Sequence, residues 1–418
     1  MKGNPQGTVS AINSYTQTSS GVFEASIGSS GNSQLLVGGT ATLAGSLNVD
    51  LANGFQPTHG GTYQIIASSA LTGTFNDGNT IVAANFSSGV NPYNNNQSAG
   101  LFDVNYSSSG VTLSGFHQIH VFSFGIDDTD PTTRKYTITG EAAAQQVSNA
   151  FAYFPGVVQD ICMKRSSTDP SNASDLIAGL NQLNVNPGDT CVIYIDTHGT
   201  YGKNPDDPND ESPLVRGNSS TTSTSETELF LSRADPSQDM TARQFAAIFS
   251  TSKWADVNKL FVMDTCFSAG FWQSADLKNS YLSAIPHSAI IASAPEDSFC
   301  YTLVSDNYQG NGVGTGGGCL GQALASTIGS LPPGDLEFST LANSIKATQD
   351  QLFFGKNGYV EGDPEDNWGI ALPYVNNVDF ASTPDFETGM TVAVPEPMSL
   401  LSLQMIWYCL ILRRRQHR

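Results

Sequence analysis

Two segments carry the residues best suited to chemistry, Ile193 to Gly199 (IYIDTHG) and Leu260 to Gly270 (LFVMDTCFSAG). Each is an apolar run that breaks into one reactive side chain, His198 in the first and Cys266 in the second. A thiolate attacks a carbonyl carbon, and an imidazole moves the proton that the leaving group needs. Taken singly, a cysteine in a strand is more often inert core, and a lone histidine is more often a satisfied structural residue. Taken together, and set among small residues that let a substrate backbone come close, the two read as the couple of a cysteine peptidase.

The elements around them must bring the pair to one place. Both runs read as buried strands of a parallel sheet, ending at the loops where open α/β sheets hold their ligands. The 68-residue spacing between His198 and Cys266 leaves room for a crossover helix. Thr241 to Gln244 fits a capping box opening a helix from Thr241 to Phe249, just before the cysteine strand. Upstream, His120 to Asp127 reads as a first strand, Glu141 to Tyr153 as a first helix, and Asp175 to Leu183 as a second helix. Ser288 to Phe299 (SAIIASAPEDSF) reads as a further buried strand with an acidic loop. Alternation of this kind predicts an α/β domain, a mostly parallel sheet flanked by helices, over residues 116–378.

The motifs resemble those of the caspase-like cysteine peptidases, the group of caspases, metacaspases, legumain and gingipains. The likeness rests on His198-Gly199 at the end of one apolar strand and on Asp264-Thr265-Cys266, followed by Ser268-Ala269-Gly270, at the end of a later one. It implies acyl transfer through a thioester, with Cys266 as nucleophile and His198 as the group that protonates the leaving amine. The backbone N–H groups of Gly199 and Cys266 would form the oxyanion site. Asp264, two positions before the cysteine, would lie in the specificity pocket, with Ser293, Asp297 and Glu296 as further wall. An acid there would favour cleavage after Arg or Lys, with Asn or Asp as second choice because legumain also carries an acid at the matching position. The plainer role for Asp264 is a cap on the following turn. Ala142, Ala143 and Ala144 stand where metacaspases would hold a second acidic pocket residue, a departure from that subgroup.

Composition narrows the field. The chain has 418 residues, and its 18 basic against 38 acidic residues give a net charge of −20, which leaves no basic field for nucleic acid. No cofactor is expected. Asp206, Asp207, Asp210 and Glu211 read as a solvated loop, with calcium as the alternative, since EF-hand spacing is lacking. Of the six cysteines, Cys300 and Cys319 bracket the Gly-rich stretch Gly310 to Gly318 and could close it by a disulfide in an oxidising compartment. That stretch lacks the Lys-Ser/Thr ending of a phosphate loop. Cys162 and Cys191 are expected buried and free, on strands that the resemblance separates by one intervening strand. The polar stretch Asn218 to Glu228 is expected as an exposed loop, and Arg216 and Arg233 beside it as candidate self-cleavage positions.

The flanks read differently. Residues 1–115 hold no cysteine and one histidine, His59, and show short alternating strands such as Ala41 to Leu51 and Thr62 to Ala67 between Gly, Asn and Ser turns. That pattern predicts an all-β, parallel β-solenoid-like segment resembling the end of an autotransporter-type passenger domain. With no secretory signal or solenoid cap ahead of it, the start reads as internal to a longer gene.

At the other end, residues 379–394 read as a polar linker. Val394-Pro395-Glu396-Pro397, an apolar run from Met398 to Leu412 and Arg413-Arg414-Arg415 resemble a PEP-CTERM sorting signal over 395–418. Such a run spans roughly 22 Å as a helix, short of the ~30 Å hydrocarbon core, and suits a transient membrane anchor. The resemblance implies processing by an exosortase and export to the cell envelope or beyond in a Gram-negative bacterium. Protein or peptide substrates would be the partners. The competing class is a surface or matrix structural protein in which a caspase-like domain has lost activity.

Overall fold

Two sheets follow one another along the chain, and the second carries His198 and Cys266. The computed structural model describes residues 7–11, 13–52, 55–75, 78, 80–86, 98–129, 136–152, 154–201, 227–233, 235–274, 278–294, 319–331, 334–356 and 379–392.

The first sheet has ten strands: β1 (Thr8–Ala11), β2 (Tyr15–Thr16), β3 (Val22–Gly28), β4 (Gly31–Asn32), β5 (Gln34–Leu43), β6 (Ser46–Leu51), β7 (Tyr63–Gly73), β8 (Ile81–Phe86), β9 (Ser98–Ser107) and β10 (Gly110–His117). Alternation builds it: in β6, Leu47, Val49 and Leu51 are buried while Asn48 faces water. Strands β1, β5 and β7 run parallel in one column, and β3, β6 and β8 in another. The hairpin β9–β10 is antiparallel to both columns and joins them, so parallel pairing does not account for the whole segment.

The second sheet begins one residue later. The chain continues as β11 (Ile119–Thr129), β12 (Tyr136–Thr139), α1 (Gly140–Phe151), β13 (Val157–Ser166), α2 (Asn172–Gln182), β14 (Thr190–Asp196), β15 (Gly199–Tyr201), β16 (Thr227–Leu229), β17 (Met240–Thr241), α3 (Ala242–Phe249) and β18 (Asn258–Asp264). It ends with β19 (Gln273–Ser274), β20 (Asn279–Ser280), β21 (Ser288–Ala292), α4 (Cys319–Ile328), β22 (Gly334–Asp335), α5 (Phe338–Lys356), β23 (Asp379–Ser382) and β24 (Thr391–Val392). Five strands, β13-β11-β14-β18-β21, pair in parallel, and β23 adds an antiparallel edge.

Helices cover both faces, which is why β14 is buried at all seven positions. Cys191, Ile193 and Ile195 pack with α2 and α3. Val192 and Tyr194 pack with α1, α4 and α5. Helix α3 starts as its sequence predicts: Thr241 accepts from the Gln244 N–H and Gln244 returns the bond to the Thr241 N–H. Its Phe249 ring meets Phe261 at 4.8 Å and Trp254 at 5.1 Å. Losing such a ring costs about 3–5 kcal/mol.

Several expectations change here. The proposed boundary at 115/116 falls inside β10, and Gln118 alone separates the sheets, its N–H held by Asp189 Oδ1 at 2.8 Å and its amide by the Ala99 carbonyl at 2.8 Å. Much of the expected linker 379–394 is folded: Phe380 and Ala381 pair with Ile291 and Ile290, and Met390 is buried. The chain needs an edge for β21, and these residues supply it. Thr227 and Glu228, expected in an exposed loop, open β16, and Thr227 is buried. Cys162 and Cys191 are both free and lie on the two neighbours of β11, but only Cys191 is fully buried, because β13 is an edge strand.

Candidate active site

Register brings the two motifs together. In the β14–β18 ladder Asp196 is the partner of Asp264, so His198 and Cys266 each lie two residues beyond the same registered pair, at the carboxyl ends of adjacent parallel strands. The sequence repeats at that point, Asp-Thr-His after β14 and Asp-Thr-Cys after β18. Gly199 then passes directly over the cysteine turn: a Cβ at this position would sit 1.9 Å from the Cys266 carbonyl oxygen and 3.0 Å from its nitrogen. Only glycine allows that approach.

Each loop is held from below. Thr265 Oγ1 donates to the Cys266 carbonyl at 3.1 Å, and Ser293 Oγ donates to the Thr265 carbonyl at 3.1 Å. Ser268 Oγ bonds the Ala294 carbonyl at 3.1 Å and accepts the Ala294 N–H at 3.0 Å. The residue after the cysteine, Phe267, is buried and left-handed at φ 59°. A side-chain-bearing residue in that region stores strain, and here it turns the chain sharply at the thiol. Cys266 itself is half-buried.

His198 keeps a third of its side chain exposed and contacts a carboxylate that sequence reasoning missed. Its Nε2 lies 3.3 Å from Oδ2 of Asp128, which is fully buried at the end of β11. A buried carboxylate on one imidazole nitrogen orients the ring. Asp128 is in turn gripped by Arg233, through Nη2 to Oδ2 at 2.5 Å and Nε to Oδ1 at 3.1 Å, and by Ser167 Oγ at 2.5 Å. The Phe230 ring stands edge-on to His198 at 5.8 Å, and the Phe230 N–H donates to the His198 carbonyl at 2.9 Å. This bond makes Gly199 and Leu229 a non-hydrogen-bonded pair, which turns the Gly199 N–H away from β16.

Asp264 stands beneath the cysteine, 1% exposed. Its Oδ2 accepts from the Tyr194 hydroxyl at 3.1 Å and from the Gly321 N–H in the first turn of α4 at 2.9 Å. It therefore serves as an acceptor for a helix start, as its plainer reading holds, though for α4 rather than the adjacent turn. Tyr194 also lies 3.1 Å from Asp196 Oδ2, so two buried carboxylates share one hydroxyl. Burial pushes the Asp264 carboxyl up to about 6 and the Tyr194 hydroxyl well above its usual range.

The other expected pocket residues divide. Ser293 is buried and buttresses the cysteine turn rather than lining a wall. Asp297, Glu296, Cys300 and the acidic group Asp206, Asp207, Asp210 and Glu211 lie outside the described residues. Arg216 also lies outside them, as do the Gly-rich stretch 310–318 and the tail 395–418. Arg233, a candidate self-cleavage position in the sequence, holds Asp128. Among the described residues no cluster of three metal-ligating side chains occurs, and no helix is long and apolar enough to cross a membrane.

No family model matches the chain. No curated protein matches it. Among solved structures it is similar to caspase-1 from Spodoptera frugiperda at TM-score 0.39 and 12% identity, over 64% of this chain and 88% of that one. It is similar also to protein GSU0716 from Geobacter sulfurreducens at TM-score 0.38 and 11% identity, over 65% of this chain and 97% of that one.

The missed residues left traces in the sequence. Asp196 repeats the position of Asp264 relative to the reactive residue. Asp128 falls in the acidic end of the first strand, Asp127-Asp128-Thr129-Asp130. Nothing local in the sequence marks Arg233 as the partner of a residue 105 positions away.

Proposed function

We propose that the chain is an exported, caspase-like cysteine endopeptidase. Cys266 attacks the scissile carbonyl as a thiolate, and the tetrahedral oxyanion forms against the Gly199 and Cys266 N–H groups. Collapse of that intermediate breaks the C–N bond, with the proton passing from His198 to the leaving amine. Water then attacks the thioester, giving one proton to His198 and its hydroxyl to the acyl carbon, and the C–S bond breaks to release the acid and regenerate the Cys266 thiolate.

The observation that carries this reading is the equal offset of His198 and Cys266 from the Asp196–Asp264 pair, with Gly199 pressed on the cysteine backbone. Asp128 behind His198 supports it, because an oriented imidazole is what the proton transfers require. A preference for Arg or Lys before the cut, with Asn or Asp second, rests on the Asp264-Thr265-Cys266 motif of the sequence, since Asp264 and Asp196 are both buried. Export, a transient C-terminal anchor and exosortase processing rest on residues 395–418 of the sequence alone.

The test is covalent trapping. A peptidyl arginyl chloromethyl ketone should add one inhibitor mass to the wild-type chain, with the modified peptide carrying Cys266, and add nothing to Cys266→Ala. Adduct formation spread over several cysteines, or equal in both proteins, contradicts the reading.

A further inference from the structure

One carboxylate oxygen serves two nitrogen-bearing side chains. Oδ2 of Asp128 lies 3.3 Å from His198 Nε2 and 2.5 Å from Arg233 Nη2, and Arg233 closes a fork through Nε on Oδ1 at 3.1 Å. The bidentate grip is the stronger of the two contacts, shorter and with two parallel bonds. Asp128 is completely buried, so its charge is poorly screened and its division between the two partners matters.

Arg233 is fixed in place to do this. Its N–H donates to the Ser167 carbonyl at 2.7 Å, and its guanidinium lies 6.0 Å from the centre of the Phe230 ring, whose edge meets His198. Two residues earlier, the Leu231 carbonyl accepts from Asn172 Nδ2 at 2.5 Å and its N–H donates to Asp239 Oδ1 at 2.8 Å. The segment 231–233 is thus stitched to the ends of β13 and α2 on one side and to the turn before α3 on the other. A surface arginine with no task would not need that framework.

We propose that Arg233 is a positioning residue for His198, acting through Asp128. By taking the larger share of the buried carboxylate, it keeps the Asp128–His198 contact orienting but weak, so that the imidazolium forms when the thiol ionises and still gives up its proton. Without Arg233, the whole field of Asp128 would fall on His198 and hold the ring protonated to higher pH. Other titratable groups on the surrounding elements include His120 and Asp127 on β11, Glu141 in α1, Asp160, Cys162, Lys164 and Arg165 on β13, Cys191, Tyr194 and Asp196 on β14, Glu228 on β16, Asp239 before β17, Asp264 at the end of β18 and Cys266 after it. The inference rests on the peptidase reading for the use made of His198, but not for its test.

The test is the pH profile of Cys266 alkylation by iodoacetate, which needs no substrate. The rate rises as the thiol ionises and falls as the neighbouring imidazolium loses its proton. Arg233→Gln should move the falling limb upward by about one pH unit, and Arg233→Lys, which keeps the charge, should restore most of the difference. Asp128→Asn should move the same limb downward, and it serves as the second variant if Arg233→Gln does not fold by circular dichroism. A falling limb that stays in place in either folded variant overturns the proposal. Shifted limbs without peptide cleavage would leave the positioning role standing and remove the peptidase reading. Cleavage by the wild type with unmoved limbs would do the reverse.

Discussion

Gly199 and Cys266 are in backbone contact across two loops, close enough that a Cβ on Gly199 would lie 1.9 Å from the Cys266 carbonyl oxygen. The neighbour is backbone rather than a flexible side chain, so the overlap cannot be relieved by a rotamer change. Gly199→Ala should therefore push the two loops apart. We expect a stability loss of about 1–3 kcal/mol by thermal denaturation, together with at least a tenfold slower alkylation of Cys266. A variant with wild-type melting and wild-type thiol reactivity would show that the loops are not in contact.

Asp264 gives a pH signature. Its carboxyl is raised from 3.8 to about 6 by burial, so the fold favours the protonated form. The stability this group supplies is complete below its unfolded value near 4 and is lost as pH rises through about 6. Asp264→Asn mimics the protonated acid and can still accept from Gly321. Melting temperatures of wild type and variant should agree at pH 4 and separate by pH 7.5, with the asparagine form higher. Equal melting at both pH values would mean that Asp264 is ionised at no cost.

The same substitution reports on specificity. If Asp264 and Asp196 draw a cationic side chain to the strand ends, losing one charge-assisted contact should lower kcat/KM for arginyl peptides by roughly 10–100-fold, about 1.5–3 kcal/mol. Peptides with asparagine before the cut should lose less. An equal loss on both would reduce Asp264 to the helix-start acceptor seen in the fold.

The joint between the sheets has its own weak point at His117. Nδ1 contacts the Gly115 carbonyl at 2.8 Å and Nε2 the Gly389 carbonyl at 2.7 Å, tying the end of β10 to the segment before β24. His117→Leu would remove both contacts and the tie between the two segments. We expect a loss of about 1–3 kcal/mol in thermal denaturation, and earlier proteolysis near residue 389 than elsewhere in the chain. Wild-type stability would show that this tie carries no weight.

What the sequence made legible follows from local physics. The strand interiors at 191–195 and 260–263 are apolar because helices cover both faces, and such runs declare themselves without partners. The Thr241 capping box is equally local, since it needs only four adjacent residues. What remained hidden depends on contacts distant in sequence: Asp128 meets Arg233 only after β11 and the segment following β16 have been placed together. The antiparallel edge strand β23 was hidden for a related reason. Asp379 to Ser382 is polar enough to read as linker, and only the open edge of β21 makes it a strand. The role of Ser293 changed because a small hydroxyl near a motif suggests a pocket wall, whereas its neighbours make it a buttress.

The central claim is that Cys266 and His198 act together as nucleophile and proton carrier. It is tested most directly by turnover of a fluorogenic peptide panel bearing Arg, Lys, Asn or Asp before the scissile bond, measured on wild type, Cys266→Ala and His198→Ala, with and without calcium. The account predicts turnover by the wild type, greatest with Arg or Lys, and a loss of at least ~1,000-fold in each variant. Absence of turnover on every peptide, or turnover that survives Cys266→Ala, would contradict it.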